Sequence, residues 1–323
     1  MTQSKVPDDS PNQATTLAQP VIGGTEVTNV SGAAPASARM SWVAANRKLV
    51  LFGGSLAAVL GTVGALIALG QTAASTEAQA IRAVLVQQAT VDAAMRGFLS
   101  AGGIDQNPDL NGVRAESDRR LTQYRDALAM VRKHEAVLQQ QQSTLASLGP
   151  LSLGHGPGSA LDRRVGVARS GLSQADQVLT AAVDQSTLER AVFETVLKEQ
   201  QMLDAIKQQQ YMQADRIDAD ADHALLAAEW RSHDKDVPPQ TARLVGYVRL
   251  IIDSTDFLAI FTFRNQADPL AYWRSELNSA IGGYNTLSSD AAAAQNNDWN
   301  TTQYGPRVAA YGSAMAQIRD LGT

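Results

Sequence analysis

The chain has 323 residues, a net charge of −5 and no cysteine. That length supports a substantial core, while the missing cysteine excludes disulfides, thiolate metal centres and cysteine nucleophiles. The residues before Leu49 carry a net charge of +1 and the remainder a net −6, and an acidic body with no basic stripe argues against nucleic-acid binding.

Residues 1–38 are rich in Ser, Thr, Pro, Gln, Gly and Asn and show no apolar period, which predicts a disordered tail. Residues 39–70 read as a juxtamembrane segment and a membrane span. The run Leu49–Leu69 holds no charged residue, and at about 1.5 Å per residue it reaches across a hydrocarbon core of about 30 Å. Arg39, Arg47 and Lys48 precede it, and the first charges after it are Glu77 and Arg82. The positive-inside rule then puts the N-terminus in the cytoplasm and everything after Gln71 outside, with Trp42 as an interfacial anchor. A cleavable signal peptide is the competing reading, with Gln71–Ser75 as its cleavage site; its apolar region would be shorter and would not follow so long a polar tail. Gly53, Ala57, Gly61 and Ala65 recur every fourth residue, a small-residue strip that favours helix association in lipid. The next most apolar stretch, Leu244–Phe263, contains Arg249, Asp253 and Asp256, so it reads as a buried helix rather than a second span.

Residues 71–323 are expected to form an all-α extracytoplasmic domain, coiled-coil-like over 71–236 and more compact over 237–323. Ile81, Val84, Gln88, Val91, Met95 and Phe98 form a heptad seam, with a stop at Gly102-Gly103. Asn107-Pro108 predicts the next helix start, and Leu121, Tyr124, Leu128, Val131, Glu135, Leu138, Gln142 and Leu145 form its seam. Gly149-Pro150 ends it, and a glycine-rich loop follows. Ser159 with Asp162 resembles a capping box. A third helix keeps the heptad through Leu161, Val165, Ala168, Leu172, Ala175, Leu179 and Ala182, slips near Ser186, and resumes at Phe193, Val196, Gln200 and Leu203, running to about Arg231. Pro238-Pro239 precedes an apolar helix over Gln240–Phe263, and Asp268-Pro269 opens another. Asn296–Tyr304 reads as a loop, with Gly305-Pro306 introducing a short last helix. No segment after the span shows period-two alternation with hairpin turns.

Three polar constellations are candidates for chemistry. Asp218, Asp220, Asp222 and Glu229 match the ligand places of a calcium loop, but His223 stands where a glycine should turn the chain, and on a continuous helix the three Asp residues would diverge. The alternative is a solvated acidic face. Glu229 and His233 have the spacing of a helical charge pair. Asp253 and Asp256 sit in an apolar helix and need a partner such as Arg249, Arg264 or Arg243; they line either a pocket for a cationic or polar ligand or one polar helix edge. No phosphate loop, dinucleotide fingerprint or nucleophile elbow occurs, so no enzyme and no cofactor are expected.

Arg96-Gly97-Phe98-Leu99-Ser100-Ala101-Gly102, one long helix beyond the span, resembles the RGYLLTG signature of CHASE3-type extracellular sensor domains, over a stretch reaching about Arg132. The resemblance implies a helical bundle starting directly after a membrane helix; the second span and signalling domain of such sensors are not found here. Two functions are expected from this layout. The first is a single-pass scaffold or adaptor subunit of an envelope-spanning complex of secretion, conjugation or pilus type, in a bacterial inner membrane with its C-terminal domain periplasmic. Its partners are the membrane and other envelope proteins, a second copy of itself included. The alternative is an accessory sensor or ligand-binding ectodomain that signals through a partner.

Overall fold

The computed structural model describes residues 47–101, 110–148, 159–264 and 266–321, and for 47–70 the backbone helix alone. The chain divides into two units, residues 1–60 and 61–323. Seven helices are described: α1 (Arg47–Ser100), α2 (Leu110–Leu148), α3 (Ala160–Lys207), α4 (Tyr211–Ser232), α5 (Pro239–Phe263), α6 (Ala267–Leu287) and α7 (Asp290–Asp320). No strand occurs among the described residues, and the class is all-α. Among them, too, no helix is long and apolar enough to cross a membrane. The side chains of the Leu49–Leu69 run, Gly53, Ala57, Gly61 and Ala65 included, lie outside the described residues, as do Gly102-Gly103, Asn107-Pro108 and the 149–158 loop.

The second unit is organised on α3. Its N-terminal half packs with α1, α2 and α7 around one core, in which Ile81, Met95, Val131, Leu138, Val165, Leu179 and Met315 are wholly enclosed. The predicted seams of α1 and α2 point into this core, except that Glu135 and Gln142 stay half-exposed. Gln142 instead ties α2 to α3, donating to Asp162 at 2.8 Å and accepting from Arg169 at 2.7 Å. Gly171 allows α7 its close approach: a Cβ there would lie 2.8 Å from Ala314 Cβ. The C-terminal half of α3 packs with α4 and α5 around a smaller core of Leu188, Val192, Leu225, Val245, Val248 and Ile252. Where one core gives way to the other, buried Gln185 donates to the Asp236 carbonyl (2.8 Å) and to Asn300 (3.2 Å), and the Tyr304 hydroxyl donates to the same carbonyl (3.3 Å).

Four expectations are corrected. The third helix does not run to Arg231 but ends at Lys207. Gln209 takes a left-handed φ of 59°, with Gln210 N–H bonded to Ala205 O and Gln209 N–H to Ile206 O. This is the Schellman stop normally built on glycine. Second, the slip near Ser186 is real and Phe193 is buried as expected, but beside it Val192 is buried too, and from there the buried positions fall one residue earlier than expected, at Thr195, Glu199 and Met202 rather than Val196, Gln200 and Leu203. A three-residue step there overwinds the seam and turns α3 from one set of partners to the other. Third, Asn296–Tyr304 is not a loop. It lies inside α7, with Pro306 also within the helix, and the break falls at Ser288-Ser289, where Ser289 caps the Ala292 N–H. Buried Asn300 and Tyr304 hold that stretch by tertiary contacts that outweigh its poor propensity. Finally, Asp268 lies in the first turn of α6 and is not its cap; that position is Gln266. The Ser159 cap is as expected, its hydroxyl accepting from Asp162 N–H at 3.1 Å.

Candidate functional site

The polar constellations of the sequence meet where α3, α4 and α5 pack. A helix turns about 100° per residue, so residues four apart share a face and residues two apart oppose each other. Asp218 and Asp222 of α4 therefore turn toward α5, while Asp220 turns toward α3 and meets Lys198, whose ammonium also donates to the Asp220 carbonyl at 3.2 Å. Glu229 lies two turns beyond Asp222 on the α5 side. On α5, Arg249, Asp253 and Asp256 form the facing polar edge.

Arg249 gathers one end of this edge. Its Nε and Nη2 donate to the two oxygens of Glu229 at 2.8 and 3.1 Å, Nη1 bonds Asp222, and Asp253 lies 3.9 Å away. A bidentate guanidinium–carboxylate pair is the strongest form of this contact. The hydrogen bond to Glu229 and its charge drive the Arg249 pKa above its already high ordinary value. The expected partner of Asp253 is thus present, although burial still raises the Asp253 pKa. Arg249 takes up Asp222 and Glu229, Asp220 faces Lys198, and Asp218 is left apart. The four calcium-loop candidates do not converge, and among the described residues no group of three or more His, Asp or Glu is placed to hold a metal ion. His233 does not pair with Glu229; it is the C-cap of α4.

The other end of the edge gathers more carboxylates than cations, with Arg264 the one basic residue among those lining its cleft. Asp218, Asp256 and Glu199 of α3 face one another. Glu199 is 4 % exposed and Asp218 half-buried. Burial first, and then the Asp218 and Asp256 charges, push Glu199 up to about 7, against a lowering contribution from the Thr255 hydroxyl. Burial, followed by Asp256 and Asp222, pushes Asp218 up to about 6. Asp256 is raised by burial and by Asp222 and Asp215. Asp215, Asp218 and Asp256 line a cleft of about 280 Å³ whose other walls are mostly apolar, formed by the end of α3, the start of α4 and the end of α5. Glu199 was absent from the sequence candidates because the predicted seam ran one residue out of phase; in the observed phase it is a charged residue at a core position, which was its signal.

A contrast in surface accompanies this site. Of the large hydrophobic side chains that are exposed among the described residues, all but Val86 and Leu321 lie between Tyr211 and Ile281. Leu226 and Trp230, four apart on α4, are 50 % and 78 % exposed, and Tyr272 of α6 is 57 % exposed. α6 buries only Ala280 among its residues; its backbone at Gly283 lies against the Tyr247 ring of α5, where any Cβ would fall 2.3 Å from ring carbons. The Phe257 and Trp273 rings stack across α5 and α6 at 4.2 Å.

No protein-family model, no curated protein and no solved structure matches this chain.

Proposed function

We propose that the chain is a single-pass, membrane-anchored helical adaptor of an envelope-spanning assembly, of secretion, conjugation or pilus type, placed in a bacterial inner membrane with residues 71–323 on the periplasmic side. The anchor rests on the uncharged Leu49–Leu69 run and the basic residues before it. The observation that carries the adaptor role is the gathering of exposed apolar side chains on α4–α6. Aromatic residues with room around them are what protein partners bury at the centre of an interface. The occupant is another envelope protein presenting an apolar groove. Purification of the full chain from membranes, intact and as Trp230→Ser with Tyr272→Ser, tests this. The expected result is a fixed-stoichiometry partner that the double substitution removes without changing the melting temperature. Recovery of the full chain in the supernatant of an alkaline carbonate wash, or the same partner set with both proteins, would overturn the reading.

A second reading, an accessory ligand-binding ectodomain related to CHASE3-type sensors, is favoured by one observation: a cleft between helices that combines apolar walls with three carboxylates against a single arginine.

A further inference from the structure

We propose that the cleft between the end of α3, the start of α4 and the end of α5 binds an organic ammonium ion carrying an apolar body. This gives the second reading its ligand class, while the adaptor role and the membrane anchor stand or fall without it.

Asp215, Asp218 and Asp256 line the cleft, and Glu199, not itself a lining residue, lies one helical turn before the lining Met202 on α3, against Asp218 and Asp256. It is 4 % exposed, and neither carboxylate oxygen meets a cation. The Thr255 hydroxyl beside it donates its proton to the Ile251 carbonyl at 2.8 Å. One oxygen of Asp218 is likewise enclosed without a hydrogen bond. Buried carboxylates without partners cost several kcal/mol unless they are neutralised by protons or by a counter-ion. The neighbouring basic groups do not balance this charge. Arg249 is committed to Glu229 and Asp222, and Lys198 to Asp220. Arg264 lines the cleft with an exposed side chain, one guanidinium against the three carboxylates Asp215, Asp218 and Asp256. The cleft has room in its charge balance for one more cation.

The walls say what carries that charge. Met202, Ile206, Ala259 and Ile260 supply aliphatic surface, and the Tyr211 and Phe263 rings meet edge-on at 5.5 Å. A hydrated metal ion gains nothing from such walls, and among the described residues no group of three or more His, Asp or Glu is placed to hold one. An ammonium head meets carboxylates and aromatic faces at once, and its hydrocarbon portion buries against the rest. At about 280 Å³ the cleft takes a small ligand, close to the lower limit of about 300 Å³ for such sites.

Isothermal titration calorimetry of the full chain in nanodiscs tests this with n-pentylammonium chloride as probe. 1-Pentanol and pentanoate carry the same body without the cation, and calcium chloride carries a cation without the body. The expected result is saturable one-to-one binding of the ammonium probe, weakened at least about tenfold by Asp218→Asn with Asp256→Asn. That double variant relieves like-charge repulsion, and an unchanged helical circular dichroism spectrum shows that it stays folded. A single Ala259→Leu substitution, which fills the cleft and leaves every carboxylate in place, is expected to abolish binding as well. Equal binding of 1-pentanol, displacement of the probe by equimolar calcium, or undiminished binding by the Asn variant would each overturn the proposal.

Discussion

The two halves of α3 do different work. Its N-terminal half is surrounded by α1, α2 and α7, and its buried face is apolar from Val165 to Ala182. Its C-terminal half packs with α4 and α5 over a smaller core and is tied to α2 by the Arg190–Asp118 and Arg114–Glu194 ion pairs, and its buried face includes Thr195 and Glu199. Exposed apolar side chains follow the same division, concentrated beside the second half. One continuous helix thus carries a region whose own buried face is wholly apolar and a region whose buried face takes in a carboxylate and lies beside uncovered apolar surface. Regions of low local stability are where binding and movement are usually found.

Substitutions of different size sharpen that comparison. Leu172→Ala, in the fully enclosed first core, should lower stability by about 2–5 kcal/mol in urea unfolding, since it removes packed methyl groups from a site with little room to collapse. Glu199→Gln should act in the other direction and only at high pH. A carboxyl whose folded pKa is raised, here from 4.5 to about 7, adds stability that is complete below the unfolded value and is lost as pH rises through about 7. Relative to the wild type, the variant should therefore gain on the order of 3 kcal/mol between about pH 4.5 and about pH 8. Glu77 and Glu189, both also pushed up to about 7 by burial, impose the same slope on both proteins and cancel from the difference. Gln209→Gly should raise stability by about 1 kcal/mol, because the left-handed φ of 59° costs nothing to glycine. Trp230→Ser should change the urea midpoint least, within about 0.5 kcal/mol, since the ring is 78 % exposed.

The first core was legible because its signal is redundant. Seven positions of α3 and six of α1 repeat the same spacing, and all but Leu161 are buried as that spacing requires. Proline marked real boundaries at Pro238-Pro239 and near Pro269. The remaining boundaries were hidden because the structure departs from local preference. Gln209 occupies a glycine position, and Pro306 sits inside a helix anchored by Asn300 and Tyr304. The candidate site was half legible. Arg249, Asp253 and Asp256 were found from charge within an apolar helix. Asp222 and Glu229 were noticed for the wrong chemistry, because a linear count cannot show that α5 brings a guanidinium between them. Glu199 was missed through a phase error of one residue, set by a change of helix partners that no local pattern records.

The division of α3 is tested most directly by amide hydrogen exchange of the full chain at about pH 8, in the wild type and in Glu199→Gln. The account predicts that wild-type α4 and α5 exchange through local opening well before the Val165–Ala182 stretch and α7, and that the substitution slows exchange in α4 and α5 while leaving the first core unchanged. Equal protection along the whole of α3, or slowing spread evenly over every helix, would contradict it.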